Sequence, residues 1–310
     1  MALMPFLRSC AGVHAKVDPV RLKYDPESGV QLLAQAVNVD IDSTGRVSRR
    51  KGLRLLAEVT APHSLWSTAD ESRAFLISGN TLYRMIDDGT LMLVKTGLTP
   101  DAPCFYCEVN DKVYFSNGNE MGIISADGTW TNWGQTPYVG PTTDRQFTGP
   151  PKGTRLAFYR GRILIGKNDD KCIWYSEPIN YGCFDSASGF FLFDSAVKMI
   201  APVDSGIFES TDTAVYFLAS HSNKEMEIRR VLYTPAIAGT DTPLNAQNVS
   251  PEFSGKAICF VVQKRGICLG LGNGTIIQLT QSKVDIPEAS AGCSVIDQTN
   301  DYKFLTFLEI

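Results

Sequence analysis

Arg73-Ala74-Phe75-Leu76-Ile77, Ser78-Gly79-Asn80, Thr81-Leu82-Tyr83-Arg84-Met85, Asp87-Asp88-Gly89 and Leu91-Met92-Leu93-Val94 follow one another in the chain. Together with Ser64-Leu65-Trp66 just upstream, they describe four strands joined by tight turns. The separators are turn formers for a physical reason: glycine supplies positive φ, while Asn and Asp tolerate the left-handed region and bond their own backbone. Ala74 to Ile77 is apolar on both faces, which suits a sheet covered on both sides. The unit reads as a four-stranded meander.

The same order of strands and turns recurs. Pro103 to Val109, Lys112 to Phe115, Met121 to Ile124 and Thr129 to Trp133 form a second unit, with turns at Asn110-Asp111, Asn117-Gly118-Asn119 and Ala126-Asp127-Gly128. A third runs through Arg155 to Tyr159, Arg162 to Gly166 and Cys172 to Ser176; a fourth from about Met199 through Ala214 to Leu218 and Glu227 to Leu232; a fifth through Ala257 to Val262, Ile267 to Gly270 and Thr275 to Leu279. A repeat of roughly 40–60 residues with four strands per unit is the signature of propeller blades.

Two incomplete pieces remain, Asn38 to Asp42 with Arg46 to Arg50, and Ser294 to Ile296 with Tyr302 to Leu308. Joining them in one shared blade would protect their open edges, so the expected fold is an all-β propeller of six blades of antiparallel meanders. Five or seven blades and a two-sheet sandwich are the competing architectures. The expected organisation is a single domain over 1–310, with an N-terminal arm at 1–29 and a closing blade from 30–62 and 291–310. Val30 to Ala36 is the one stretch with helical periodicity, about two turns long.

Of the 310 residues, 44% are hydrophobic and 20% charged, and the net charge is −4. That is the balance of a folded globular protein, and it argues against a general polyphosphate binder, which would carry a basic surplus. No secretory leader and no stretch long enough to span a membrane are expected. The eight cysteines are expected as reduced, mostly buried thiols.

Few motifs point to chemistry. Cys104-Phe105-Tyr106-Cys107 has a metal-site spacing, but on a strand the two thiols point to opposite faces. Asp40-Ile41-Asp42-Ser43-Thr44-Gly45 opens like a calcium loop yet reaches Lys51 where a bidentate Glu is needed, so a polar hairpin is expected. Gly270-Leu271-Gly272-Asn273-Gly274 joins two strands and lacks the lysine of a phosphate loop. His14, His63 and His221 show no metal-ligand spacing and no expected nucleophile beside them. Asp185, Asp194, Asp204 and Glu209 are the carboxylates that a propeller mouth could pair for glycoside chemistry. Trp130 and Trp133 suit either glycan stacking or packing between blades. The sequence thus predicts no catalytic residue, no metal site and no cofactor. Arg46, Arg49, Arg50, Lys51 and Arg54 form the densest basic cluster and are the candidate assembly contact.

The stretch from Ala36 to Gly52 resembles the opening of propeller proteins from tailed bacteriophages, with their N-x-D-x-D…G-x-x-x-R-R-x-G pattern carried here by Asn38, Asp40, Asp42, Gly45, Arg49, Arg50 and Gly52. Cys107 to Gly118 is similar to their second-blade signature, and Ile173 to Pro178 with Phe184-Asp185 to a third. The resemblance implies a non-enzymatic virion protein, nozzle or stabilisation type, at the tail or head-to-tail connector. It would be made in the host cytoplasm and assemble with copies of itself and with other tail or neck proteins, meeting DNA only as it passes through a channel. A glycan-binding module contacting a host-surface glycan and a carbohydrate-active propeller enzyme are the alternative classes.

Overall fold

The computed structural model describes residues 9–22, 30–42, 44–52, 54–167, 170–220, 226–280, 283–297 and 303–310. Apart from two single-turn 3-10 helices, its regular elements are all strands. The fold is a β-propeller with five blades. Two compact units divide it: Met1–Leu53 with Val203–Gly206 and Ala214–Ile310, and Arg54–Pro202 with Ile207–Thr213.

In the second unit, blade 1 is the antiparallel meander Pro62–Ser67, Ala74–Ser78, Thr81–Met85 and Leu91–Lys95. Blade 2 repeats it with Phe105–Val109, Lys112–Ser116, Met121–Ile124 and Trp130–Asn132. Blade 3 begins with Arg155–Tyr159, Arg162–Gly166 and Cys172–Glu177, then branches. The front of Cys172–Glu177 pairs with Phe190–Leu192 and its end with Asn180–Asp185, which in turn pairs with Phe147–Thr148.

Strand alternation explains why blade strands lack a polar face. Val113 and Phe115 pack with Phe75, Ile77 and Leu82 of blade 1. Between them in sequence, Tyr114 packs with Ile163, Ile165 and Phe184 of blade 3. The blade-2 strand Lys112–Ser116 therefore buries both of its faces, in separate cores. Arg160 and Gly161 both adopt positive φ, 45° and 79°, in the two-residue loop that closes Arg155–Tyr159 onto Arg162–Gly166. That conformation matches the right-handed twist of a hairpin.

In the first unit, blade 5 is Thr242–Asn245, Lys256–Val262, Gly266–Gly270 and Ile276–Gln278. Blade 4, the sheet of Val197–Val203, Gly206–Thr211, Val215–Ser220 and Met226–Leu232, has residues in both units.

Two expectations require correction. There are five blades rather than six, because the terminal pieces form separate two-stranded ribbons: Val39–Ile41 with Val47–Arg49, and Ala291–Asp297 with Lys303–Glu309. The ribbons meet through side chains, Lys303 Nζ lying 3.2 Å from Asp40 Oδ2. The helical stretch is also a strand at Val30–Leu33, in parallel register with Ser9–Val13. Two turns of isolated helix are too short to offset their nucleation cost, whereas a neighbouring strand satisfies the backbone directly.

Candidate functional site

The basic cluster sits on and after the N-terminal ribbon. Asp42 organises its loop by accepting hydrogen bonds at Oδ1 from Thr44 Oγ1 (2.6 Å), Thr44 N (2.9 Å) and Arg46 N (2.9 Å). Those bonds, the Thr44 hydroxyl's first, hold the Asp42 carboxyl below the usual range. The calcium-like opening is thus a hairpin turn among the described residues. Arg46, Arg49 and Lys51 are exposed. Arg50 differs: its Nε lies 3.2 Å from Asp40 Oδ1, so Asp40 bridges Arg50 and Lys303. Alternation turns Arg49 to the opposite ribbon face from Arg50, and Arg54 belongs to the other unit. Within its unit, the cluster thus presents Arg46, Arg49 and Lys51 to solvent, with Arg50 engaged internally.

The C-terminal ribbon has two unlike faces. Phe304 and Leu308 pack on a core containing Ile237, Val261 and Ala289. On the other face Cys293 pairs across the strands with Phe307, and Val295 with Leu305. Here Phe307 is 68% exposed and Val295 53%, and the Cys293 thiol is exposed as well. Ile310 at the chain end is also exposed. Phe307, Val295 and Cys293 thus share one exposed face of this ribbon.

The remaining motifs resolve into structure. Cys104 packs in the core shared by blades 1 and 2, and Cys107 in the one shared by blades 2 and 3. Burial pushes both thiols up to about 12. The Gly270–Gly274 stretch is a tight turn, with Gly274 N donating to Leu271 O and Thr275 N to Asn273 Oδ1. His63 does have a hydroxyl beside it, contrary to expectation: Nδ1 is 2.9 Å from Ser64 Oγ. Ser64 Oγ also accepts from Cys104 N at 2.9 Å, so it ties the irregular start of blade 1 to blade 2. His221 lies outside the described residues.

The four carboxylates separate by role. Asp185 is buried; burial alone would raise its carboxyl, but hydrogen bonds from Arg145, Ser188 and Ala187 overcome that and lower it to about 2. Arg145 reaches Glu177 as well. Asp194 accepts from Thr213 Oγ1 at 3.0 Å, and Asp204 from Lys256 N at 2.7 Å. Glu209 has no exposed surface, and neither carboxylate oxygen finds a hydrogen-bond partner among the described residues. Burial, with a smaller contribution from nearby Asp194, raises its carboxyl to about 9. A buried carboxyl that holds its proton is one half of an acid–base pattern, yet a side chain with no accessible surface touches no substrate.

No family model matches the sequence, and no curated protein does. Solved structures are similar to it. BBS1N, crystallised in complex with ARL6DN, is 10% identical with a TM-score of 0.53, covering 87% of this chain and 83% of that one. An auxiliary nutrient binding protein from Bacteroides ovatus is 6% identical with a TM-score of 0.49, covering 69% and 56%. Virginiamycin B lyase from Staphylococcus aureus is 14% identical with a TM-score of 0.47, covering 83% and 87%. At these identities likeness speaks for architecture alone. The chain is a β-propeller. Its function rests on its own residues.

Proposed function

We propose that this propeller is a non-enzymatic structural protein of a tailed-bacteriophage particle, built into the tail or the head-to-tail connector. The phage assignment is supported by the sequence signatures at Ala36–Gly52, Cys107–Gly118 and Ile173–Asp185. The structural observation that carries an assembly role is the outer face of the C-terminal ribbon, where Val295 and Phe307 stand in solvent beside Cys293. Its ribbon is joined to the cationic N-terminal ribbon by the Lys303–Asp40 pair. Exposed apolar side chains on one ribbon and exposed cations on its neighbour suit protein contacts in which the apolar part supplies affinity and the charges set register. Repetition around a symmetric particle multiplies modest contacts into stable attachment.

The partners are further copies of this chain and neighbouring tail or neck proteins, with DNA as a passing polymer. The working location is the virion. Mass spectrometry of purified particles tests the reading: the chain should be present at a fixed copy number, and absence from the particles overturns it. A second reading, a module that engages host-surface glycan, is favoured by one observation, the open cleft beside Trp130 in blade 2.

A further inference from the structure

The cleft lies in the second unit and has a volume of about 390 Å³, within the range of small-molecule sites. Trp130, with the buried Trp133 behind it, forms its aromatic wall. The indole lies over Gly122: a Cβ there would sit 2.1 Å from Trp130 Cζ2, so glycine is what lets the ring settle on the backbone. Phe115 meets the indole edge-on, with centroids 5.2 Å apart. Lys95 Nζ stands 6.0 Å from the Trp130 ring centroid, and Lys152, Asn119 and Asn132 complete the polar lining.

Charge decides what such a site prefers. Glu120 is the one lining carboxylate, and it is already committed, accepting from Asn117 Nδ2 (2.6 Å), Thr99 Oγ1 (2.9 Å) and Thr99 N (3.1 Å). Lys95 and Lys152 form no ion pair among the described residues. The cleft therefore offers an aromatic face, two amide side chains able to donate and accept, and two ammonium groups against one carboxylate that is occupied by its own hydrogen bonds, a net positive lining.

We propose that the Trp130 cleft binds an acidic saccharide, one sugar ring lying against the indole, its hydroxyls meeting Asn119 and Asn132 and its carboxylate or sulfate reaching Lys95 and Lys152. Aromatic faces take the apolar face of a ring while amides satisfy its hydroxyls. A nucleotide is the less suitable occupant. No arginine stands among the described residues that line it to hold a phosphate bidentately. This inference stands whether or not the chain is a virion protein.

The test is titration of the purified full chain with trigalacturonate, sialyllactose and a heparin tetrasaccharide, followed by tryptophan fluorescence and calorimetry, with maltotriose and AMP as comparators. At least one acidic probe should bind saturably and more tightly than maltotriose, with affinity falling as salt rises. Lys95→Gln with Lys152→Gln should weaken it by about tenfold or more, a loss of about 1.4 kcal/mol, without moving the melting temperature. Trp130→Ala should abolish it; because Trp130 also packs on Phe115, the lysine pair is the deciding variant. Failure of all three acidic probes, equal binding of maltotriose, tighter binding of AMP, or an unchanged affinity in the lysine variant each overturns the proposal.

Discussion

Arg73, just before the second strand of blade 1, and Glu108, in the first strand of blade 2, form an ion pair of 2.8 Å in which the arginine is all but buried. Arg73 Nη1 also donates to Asp111 O at 2.9 Å, and Glu108 Oε2 accepts from Ala69 N at 3.2 Å. Removing one partner strands the other. Glu108→Ala should destabilise the fold by about 2–3 kcal/mol, below the full cost of a buried orphan because Glu108 is partly exposed. Arg73→Met with Glu108→Leu should recover part of that loss. Urea midpoints for the two single variants and the double decide whether the pair is coupled.

Glu209 gives the fold a pH dependence of definite sign. Its folded carboxyl titrates at about 9 against an ordinary 4.5, so the folded state holds a proton that the unfolded chain releases. Its contribution is complete below about pH 4.5 and is lost as pH rises toward 9, at up to about 1.4 kcal/mol per pH unit. Stability should thus fall between about pH 6 and pH 8 in the parent. Glu209→Gln should flatten that slope, and equal slopes in the two proteins would remove the argument.

How far the sequence discloses this fold depends on burial. Central strands such as Lys112–Ser116 and Lys256–Val262 are apolar on both faces and bounded by turn formers, so their identity is local. Thr242–Asn245 escapes notice because it is a polar edge strand containing Pro243, and edges tolerate what central strands reject. The branch of blade 3 at Asn180–Asp185 depends on partners distant in sequence. The site divides the same way. Trp130 and Trp133 look equivalent in sequence and both line the cleft, but Trp133 is buried with Nε1 donating to Tyr181 O at 2.9 Å, while Trp130 is only partly buried, its indole lying over Gly122. Lys95 and Lys152 join it from separate segments, a meeting that spacing cannot show. Spacing alone does not distinguish Arg50 from its neighbouring cations; its ion pair with Asp40, ten residues away in the chain, does.

Charge reversal therefore separates Arg50 from its neighbours. Arg49→Glu with Lys51→Glu should reduce incorporation into particles by about tenfold while leaving the isolated protein's Tm nearly unchanged, since exposed charges contribute little to folding. Arg50→Glu, which places a second acid against Asp40, should lower Tm by a few degrees. Phe307→Glu should impair incorporation as the lysine and arginine reversal does. Particle counts from quantitative mass spectrometry, read beside melting curves, distinguish assembly defects from folding defects.

The inner face of the same ribbon should behave oppositely. Leu308→Ala removes a partly buried side chain from the core of Ile237 and Val261, and should cost about 1–3 kcal/mol. Thermal denaturation of this variant and of Phe307→Ala, which should change stability by less than about 0.5 kcal/mol, checks which face holds the ribbon down.

Thiol chemistry should follow exposure. In the native protein Cys293 should label with a soluble maleimide at once, while Cys104 and Cys107, buried and protonated up to about 12, should wait for unfolding. Peptide mapping after brief labelling makes the comparison, and early modification at Cys104 or Cys107 would contradict the packing described.

Consecutive residues of Lys112–Ser116 answer to different neighbours, Val113 and Phe115 to one core and Tyr114 to another. Across blades 1 to 3, communication should therefore run as a nearest-neighbour chain, each sheet a link with two independent bonds. Double-mutant cycles would then find Val113 coupled to Leu82 and Tyr114 coupled to Ile163, yet little energy passing between Val113 and Tyr114 themselves. In evolutionary terms, a blade of this kind cannot be exchanged for another as a cassette. It must match two strangers at once, and alternate letters of one short strand keep the memory of each.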